Sequence, residues 1–142
     1  MRRLPRGEDG NAAVELAPVA LVFILFLGLA IAAGRITIAH MAVQAAARDA
    51  ARQASIARTP GQAQAAARSS AWATLRSDGL DCAPVVLVNT AGFAVPVGQP
   101  AQVTATVTCT VRLSDLTAVP GMPGARTLTA TFASPLDPYR AR

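Results

Sequence analysis

The sequence has no lysine, one histidine and two cysteines among its 142 residues. Without lysine, neither a GxxxxGK phosphate-binding loop nor a Ser-Lys catalytic dyad can be formed. His40, the two cysteines and the scattered acids follow none of the spacings that bind zinc. We therefore expect a structural protein that is not an enzyme and holds no cofactor or metal.

Aromatic residues are also scarce, at 4% of the chain, whereas 32 residues are alanine. Alanine buries little area, so a large core is not expected outside the N-terminal third. The net charge of +5 comes from arginines that are scattered along the chain, with no aromatic residues between them to stack on bases. We expect a mildly basic surface and no nucleic-acid partner.

The strongest positive feature is an uncharged stretch of 19 residues from Leu16 to Gly34. As a helix it would be about 28 Å long, close to the thickness of the hydrocarbon layer of a bilayer. We predict a membrane helix over residues 11–34, in contact with membrane lipid. Arginines flank both ends, so the positive-inside rule alone hardly distinguishes the two orientations.

Helical periodicity continues beyond the membrane segment and predicts a stem over residues 35–61. Apolar residues recur there every three or four positions, and Thr59-Pro60-Gly61 interrupts the pattern. The expected buried stripe consists of Ile36, Ala39, Val43, Ala46, Ala50, Ala54 and Ala57.

A small domain is predicted over residues 62–133, followed by a loose tail over residues 134–142. An alanine-rich helix is expected first, over residues 62–76. A short apolar run between Pro84 and Asn89 then predicts a strand over 85–88, and alternation of apolar and polar residues predicts strands over 101–111 and 127–132. The fold class is α+β: a membrane helix extended into a stem, a short helix and a three- to four-stranded antiparallel sheet.

Cys82 and Cys109 are the only cysteines, and they lie beside or within predicted strands. In an oxidising compartment outside the cytoplasm such a pair would form a disulfide. The alternative is two buried thiols in a reducing compartment. The predicted membrane anchor favours the disulfide.

An acidic residue, Glu15, lies at the start of the apolar stretch, five residues after Gly10. A carboxylate in the hydrocarbon is costly, by about 2.5 to 3.5 kcal/mol at the centre and less near the boundary. Two explanations remain open at this point. Glu15 either pairs with a partner group or merely favours the positive end of the helix dipole.

The segment RGEDGNAAVELA resembles the processing site of type IV prepilins, and specifically that of TadE-like minor pilins of tight-adherence (Flp-type) pili. The resemblance extends over residues 6–55 and includes Gly34-Arg35 and the Ala-Ala-Arg-rich stem. It departs at Leu16, where Phe or Tyr is common, and no acid precedes Gly34-Arg35.

The resemblance implies a pilin-like fold and cleavage after Gly10 by a prepilin peptidase. The cytoplasmic leader, residues 1–10, would be removed and Asn11 would become the N-terminus. Glu15 would pair with the α-amino group of a neighbouring subunit. The protein would lie in the cell membrane with its C-terminal domain outside. Its partners would be other pilin subunits, through the helix, together with the prepilin peptidase and the membrane pilus-assembly machinery.

Two other hypotheses compete with this one. Ala30-Ile31-Ala32 resembles a signal-peptidase site, which would release a secreted binding domain starting at Ala33. An ordinary anchor could instead hold an extracytoplasmic binding domain or enzyme, although the chain lacks a recognisable nucleophile–base pair.

Overall fold

One helix, α1, runs without interruption from Asp9 to Ile56, a length of 48 residues. At 1.5 Å per residue it extends about 72 Å. Pro18 lies inside α1 and the helix continues through it, because the only hydrogen bond lost is the one from position 18 to the carbonyl of Val14. The computed structural model describes residues 9–117 and 123–139.

The two halves of α1 have different surroundings. In the first half the large apolar side chains from Leu16 to Leu29 are 50% to 70% exposed. In the second half the predicted buried stripe is confirmed, with its five central residues at most 1% exposed and Ile36 and Ala57 partly buried. The buried face is wider than predicted, since Ala42, Ala47 and Ala51 are buried as well. The extra width arises because α1 packs on both a second helix and a sheet.

The second helix, α2, extends from Pro60 to Ser77 and begins two residues earlier than predicted. Thr59 caps it by accepting a hydrogen bond from the backbone N–H of Gln62 at 3.3 Å, and proline is well suited to the first helical turn. Every fourth residue faces α1 and is at most 1% exposed: Ala63, Ala67, Ala71 and Leu75. The helices therefore meet through small side chains that allow a close approach.

Three antiparallel strands form a sheet in the order β1-β2-β3. They are β1 (Val85–Asn89), β2 (Ala101–Arg112) and β3 (Ala125–Leu136). The predicted alternation in β2 is confirmed: its odd-numbered residues from 103 to 111 are buried. Threonines lie on the opposite face, where three cross-strand pairs join their hydroxyls at 2.9 to 3.2 Å: Thr106–Thr131, Thr108–Thr129 and Thr110–Thr127.

Two short helices were not predicted: a 3₁₀ helix at Ala91–Ala94 and α3 at Leu113–Thr117. Gly92 lies so close to the backbone of Gln102 that a Cβ would collide with its carbonyl oxygen. Only glycine fits at this point, where the loop after β1 crosses the start of β2.

The tail prediction needs correction. Residues 134–136 belong to β3, and Ser134 and Leu136 are 8% and 3% exposed. The Ser134 hydroxyl donates to the Ser55 hydroxyl at 3.1 Å. Pro135 is tolerated because β3 lies at an edge of the sheet. Residues 140–142 of the predicted tail, and the leader up to residue 8, lie outside the described residues.

The stem also ends earlier than predicted. Instead of continuing to residue 61, α1 stops at Ile56, and residues 57–59 form a short connection to α2. A single core unites the stem with the later elements, from Ala39 in α1 to Leu136 in β3. The stem is therefore part of the domain outside the membrane, which we call the head (residues 36–117 and 123–139).

Replacing Ala67 by Leu should destabilise the head, because Ala67 is completely buried against α1. Overpacking a tight interface of this kind typically costs about 1 to 3 kcal/mol. Thermal unfolding of the purified chain measures the effect. Ala65→Leu is the matched control, since Ala65 is exposed on the same helix and should change stability little. Equal melting temperatures for the two variants would contradict the packing described.

Candidate functional site

The predicted processing residues lie in the first two turns of α1. Gly10 and Asn11 follow Asp9, the first residue of the helix, and Glu15 directly precedes the apolar segment that begins at Leu16. The structure thus places Gly10 and Glu15, the predicted cleavage position and the predicted pairing residue, on one helix, five residues apart. The spacing puts them about one and a half turns from each other along α1.

From Leu16 to Gly34 α1 is uncharged and lies outside the core of the head. Within the described residues it is the one helix long and apolar enough to span a membrane. Its position at the N-terminus and its complete exposure indicate membrane anchoring. Arg35 marks the end of the apolar segment, and contact with the head core begins at the next residue, Ile36.

Exposed apolar side chains lie on all sides of α1 between Leu16 and Leu29. The row of them on the side that faces away from the head is the one that continues beyond Arg35. It comprises residues separated by three, four or seven positions, which share one side of a helix. We call it the outer stripe: Leu16, Phe23, Leu27, Ile31, Ile38 and Met41, which are 50% to 69% exposed. Its last two members lie beyond Arg35, outside the predicted membrane segment. These two residues were not predicted from the sequence, although their spacing out of phase with Ala39 and Val43 was a usable signal.

Besides the Ser134–Ser55 hydrogen bond, two further contacts join polar residues of the stem to later elements of the head. The Arg48 guanidinium lies 5.9 Å from the centre of the Phe132 ring, within the range of a cation–π interaction. On the other flank, the Thr74 hydroxyl donates to a carboxylate oxygen of Asp49 at 2.8 Å. These contacts join α1 to β3 and to α2, and they fix the rotation of the helix relative to the head.

The two cysteines are brought together. A disulfide joins Cys82 and Cys109, whose Cα atoms are 5.9 Å apart, which is the usual separation for such a bond. Cys109 is completely buried in β2, and Cys82 is half-buried in the segment leading to β1. The bond therefore links the end of the helical layer to the central strand of the sheet.

The remaining candidates are dispersed over the surface. His40 is exposed on α1, and Tyr139 is 85% exposed in the turn after β3. Trp72 on α2 is 43% exposed and lines a cavity. Within residues 9–117 and 123–139, no three His, Cys, Asp or Glu side chains lie close enough together to hold a metal.

An N-terminal apolar helix that continues into a disulfide-bonded α+β head defines the class: an α+β protein with a single membrane anchor. The family model described as TadE-like protein matches residues 10–52. The match confirms the predicted resemblance over nearly all of α1. It covers less than a third of the chain, and most of the head lies outside it. The TadE-like similarity indicates a component associated with Tad pili. No curated protein and no solved structure matches the chain.

Removing the disulfide should destabilise the head without changing its fold. The cysteines are 27 residues apart, and closing a loop of that length stabilises a protein by about 3 to 4 kcal/mol. We expect the melting temperature of Cys82→Ser/Cys109→Ser to fall by many degrees. Alkylation before lysis, followed by non-reducing mass spectrometry, tests the bond in the native host; free thiols at both positions would rule it out.

Proposed function

We propose that this chain is a minor pilin or pseudopilin, a non-catalytic structural component of tight-adherence (Flp-type) pilus assembly. The observation that carries the proposal is the outer stripe of α1, which continues past the membrane boundary on the side opposite the head. A helix that only anchors a head has no need of an apolar surface there. A helix that packs against neighbouring helices does.

The two members beyond the boundary show what packing would gain. Ile38 and Met41 are each 62% exposed, and burying each against a neighbouring helix would contribute about 1 to 2 kcal/mol. Within the lipid nothing is gained by removing apolar surface from water, and close packing of the helices drives their association instead. We therefore infer that neighbouring pilin subunits contact α1 along the outer stripe, in the membrane and above it.

Glu15 determines the register in which neighbouring helices pack. It lies at the start of the outer stripe, beside Leu16, so a neighbouring helix would bring its own N-terminus nearby. Cleavage after Gly10 would give Asn11 a free α-ammonium group, which can pair with the carboxylate. A buried pair of opposite charges adds little net stability, but either charge alone is strongly unfavourable. Pairing therefore penalises wrong registers.

The disulfide supports the orientation of the chain in the membrane. Structural disulfides persist in oxidising compartments and are rare in the cytosol, so the bond between Cys82 and Cys109 favours a head outside the cytoplasm. The leader then lies on the cytoplasmic side, where a membrane-embedded prepilin peptidase would act on it. The assembly machinery in the membrane would be the next partner, and adhesion through the pilus the eventual role.

A second candidate, a secreted binding domain, is favoured by one feature. The head core begins at Ile36, so cleavage after Ala32 would leave that core complete. The mature N-terminus separates the candidates: Asn11 for a pilin, Ala33 for a secreted domain and Met1 for an ordinary anchor. N-terminal sequencing of protein from the native host is the decisive measurement.

Gly10→Val should block processing, since a branched side chain would occupy the position directly before the cleaved bond. The full-length precursor should accumulate in the membrane. Wild-type protein should lose residues 1–10, which carry three arginines and two acids, so its net charge falls from +5 to +4. Gly7→Val is the matched control and should be processed normally. Detection of only Met1-initiated protein in wild-type cells containing the peptidase would defeat the proposal.

Glu15→Gln should leave membrane insertion and cleavage intact but prevent assembly. The neighbour's α-ammonium group would lose its counter-charge in a low-dielectric bundle, at a cost of about 3 to 5 kcal/mol. Glu15→Asp, with a shorter reach, should be partly defective. Pull-down of partner pilins and pilus counts measure the outcome.

Asp9→Asn is the control for this experiment, because it also removes one acid but lies in the leader that cleavage discards. If Glu15 acted only on the helix dipole, its loss would cost about 0.3 to 1 kcal/mol with no selective effect on assembly. Normal pilus counts and normal partner recovery in Glu15→Gln would show that the carboxylate has no pairing role.

A further inference from the structure

The head contains a cavity of about 240 Å³ between the end of α2 and the segment that leads to β1. It lies away from the outer stripe of α1 and is not used by the proposed pilus role. Its principal lining residues are Trp72, Leu75, Arg76, Leu80, Asp81 and Cys82.

The walls of this cavity are held in place by the fold. Leu75 is 1% exposed and belongs to the core beneath it. On the opposite wall, Cys82 is bonded to Cys109 of the central strand. Gly79, with φ of +73°, makes the sharp turn between the walls that few other residues could adopt. The site is therefore formed before any ligand arrives, which lowers the entropic cost of binding.

Trp72 offers an aromatic surface at the cavity. It is the only tryptophan in the chain and is 43% exposed. Arg76 follows four residues later on α2, so the two side chains emerge from the same side of the helix. An indole ring presents a large, flat apolar area of low conformational entropy, which suits it to stacking against a ligand.

The charges in the cavity are opposite but do not neutralise each other by direct contact. Arg76 supplies hydrogen-bond donors and Asp81 supplies acceptors. No ion pair joins these two side chains; within the described residues the one ion pair is between Arg112 and Asp115. A ligand that lies between Arg76 and Asp81 could bond to both. It would need both acceptors and donors. Because the two charges are opposite in sign, their effects on a net ligand charge largely cancel, and the site gives neither an anion nor a cation an advantage over a neutral ligand.

We propose that this cavity binds one pyranose ring of a neutral carbohydrate. A pyranose has a face of C–H groups for the Trp72 ring and a rim of hydroxyls that both donate and accept. A purely apolar ligand would instead make no use of the hydrogen-bonding groups of Arg76 and Asp81, which are both exposed. The cavity is smaller than the roughly 300 to 1,000 Å³ of pockets for drug-sized molecules, which limits the enclosed part of the ligand to about one ring.

Because Trp72 is the only tryptophan, its fluorescence reports binding directly. The full chain, purified in a detergent without a sugar headgroup, is titrated with chitotriose and with cellotriose. We expect a saturable shift with at least one of them, with a Kd on the order of 1 mM or below. Failure here would not bear on the pilus role, which is tested by processing and assembly.

Variants then assign the signal to the cavity. Arg76→Gln and Asp81→Asn should each weaken binding about tenfold, the effect of losing one hydrogen bond to a charged group. Arg68→Gln removes the same charge from the same helix outside the cavity and should bind normally. Trp72→Ala, followed by calorimetry, should abolish binding. The proposal is overturned if neither saccharide gives a saturable response up to about 10 mM, or if Arg76→Gln binds as tightly as wild type.

Discussion

The close packing of alanines along the stem is the interaction on which the rest of the structure depends. Ala46, Ala50 and Ala54 of α1 are completely buried, and Ala63, Ala67 and Ala71 of α2 are buried on the facing side. Each alanine removes little apolar area from water, so stability must come from many contacts at short range rather than from a few large side chains. Such an interface tolerates little change in volume. It also explains how a chain with so few aromatic residues forms a stable head.

Because that interface uses the second half of α1, the membrane segment and the head share one continuous helix. No linker separates them: Arg35 ends the apolar segment and Ile36 already packs against the core. The outer stripe keeps a fixed direction relative to the sheet for the same reason. Where a neighbouring helix packs on α1, the positions of both heads follow. In a pilus, helix contacts made inside the bundle would thus determine which surface of each head faces outward.

Much of this architecture could be predicted from the sequence where a single periodicity dominates. The stripe from Ile36 to Ala57 and the alternation in β2 both follow from local spacing, and both are confirmed. Ala42, Ala47 and Ala51 could not be recognised as buried, because small residues give no signal of which neighbour they face. The end of β3 was missed because two prolines near it indicated a loop, whereas Ser55 and the core hold residues 134–136 in place.

The candidate sites also differ in how far local sequence patterns could predict them. Gly10, Asn11 and Glu15 are close in sequence, so predicting the helix was enough to predict that all three lie on it. The cavity at Trp72 depends on how residues 79–82 turn back beside α2, and no local pattern encodes that path. The exposure of Trp72 could therefore be learned only from the tertiary structure. The disulfide is intermediate, since two cysteines allow only one internal pairing.

The unbroken path of α1 makes the head sensitive to the thickness of the bilayer. Membrane helices tilt by about 20° on average, and more when their apolar segment exceeds the hydrocarbon layer. The part of α1 from Ile36 to Ile56 is about 31 Å long, so a tilt of about 20° displaces its far end sideways by about 11 Å. A flexible joint would absorb such a tilt, but this helix transmits it. Lipid composition would then steer where the tip of the head points, and with it which neighbours the head can reach.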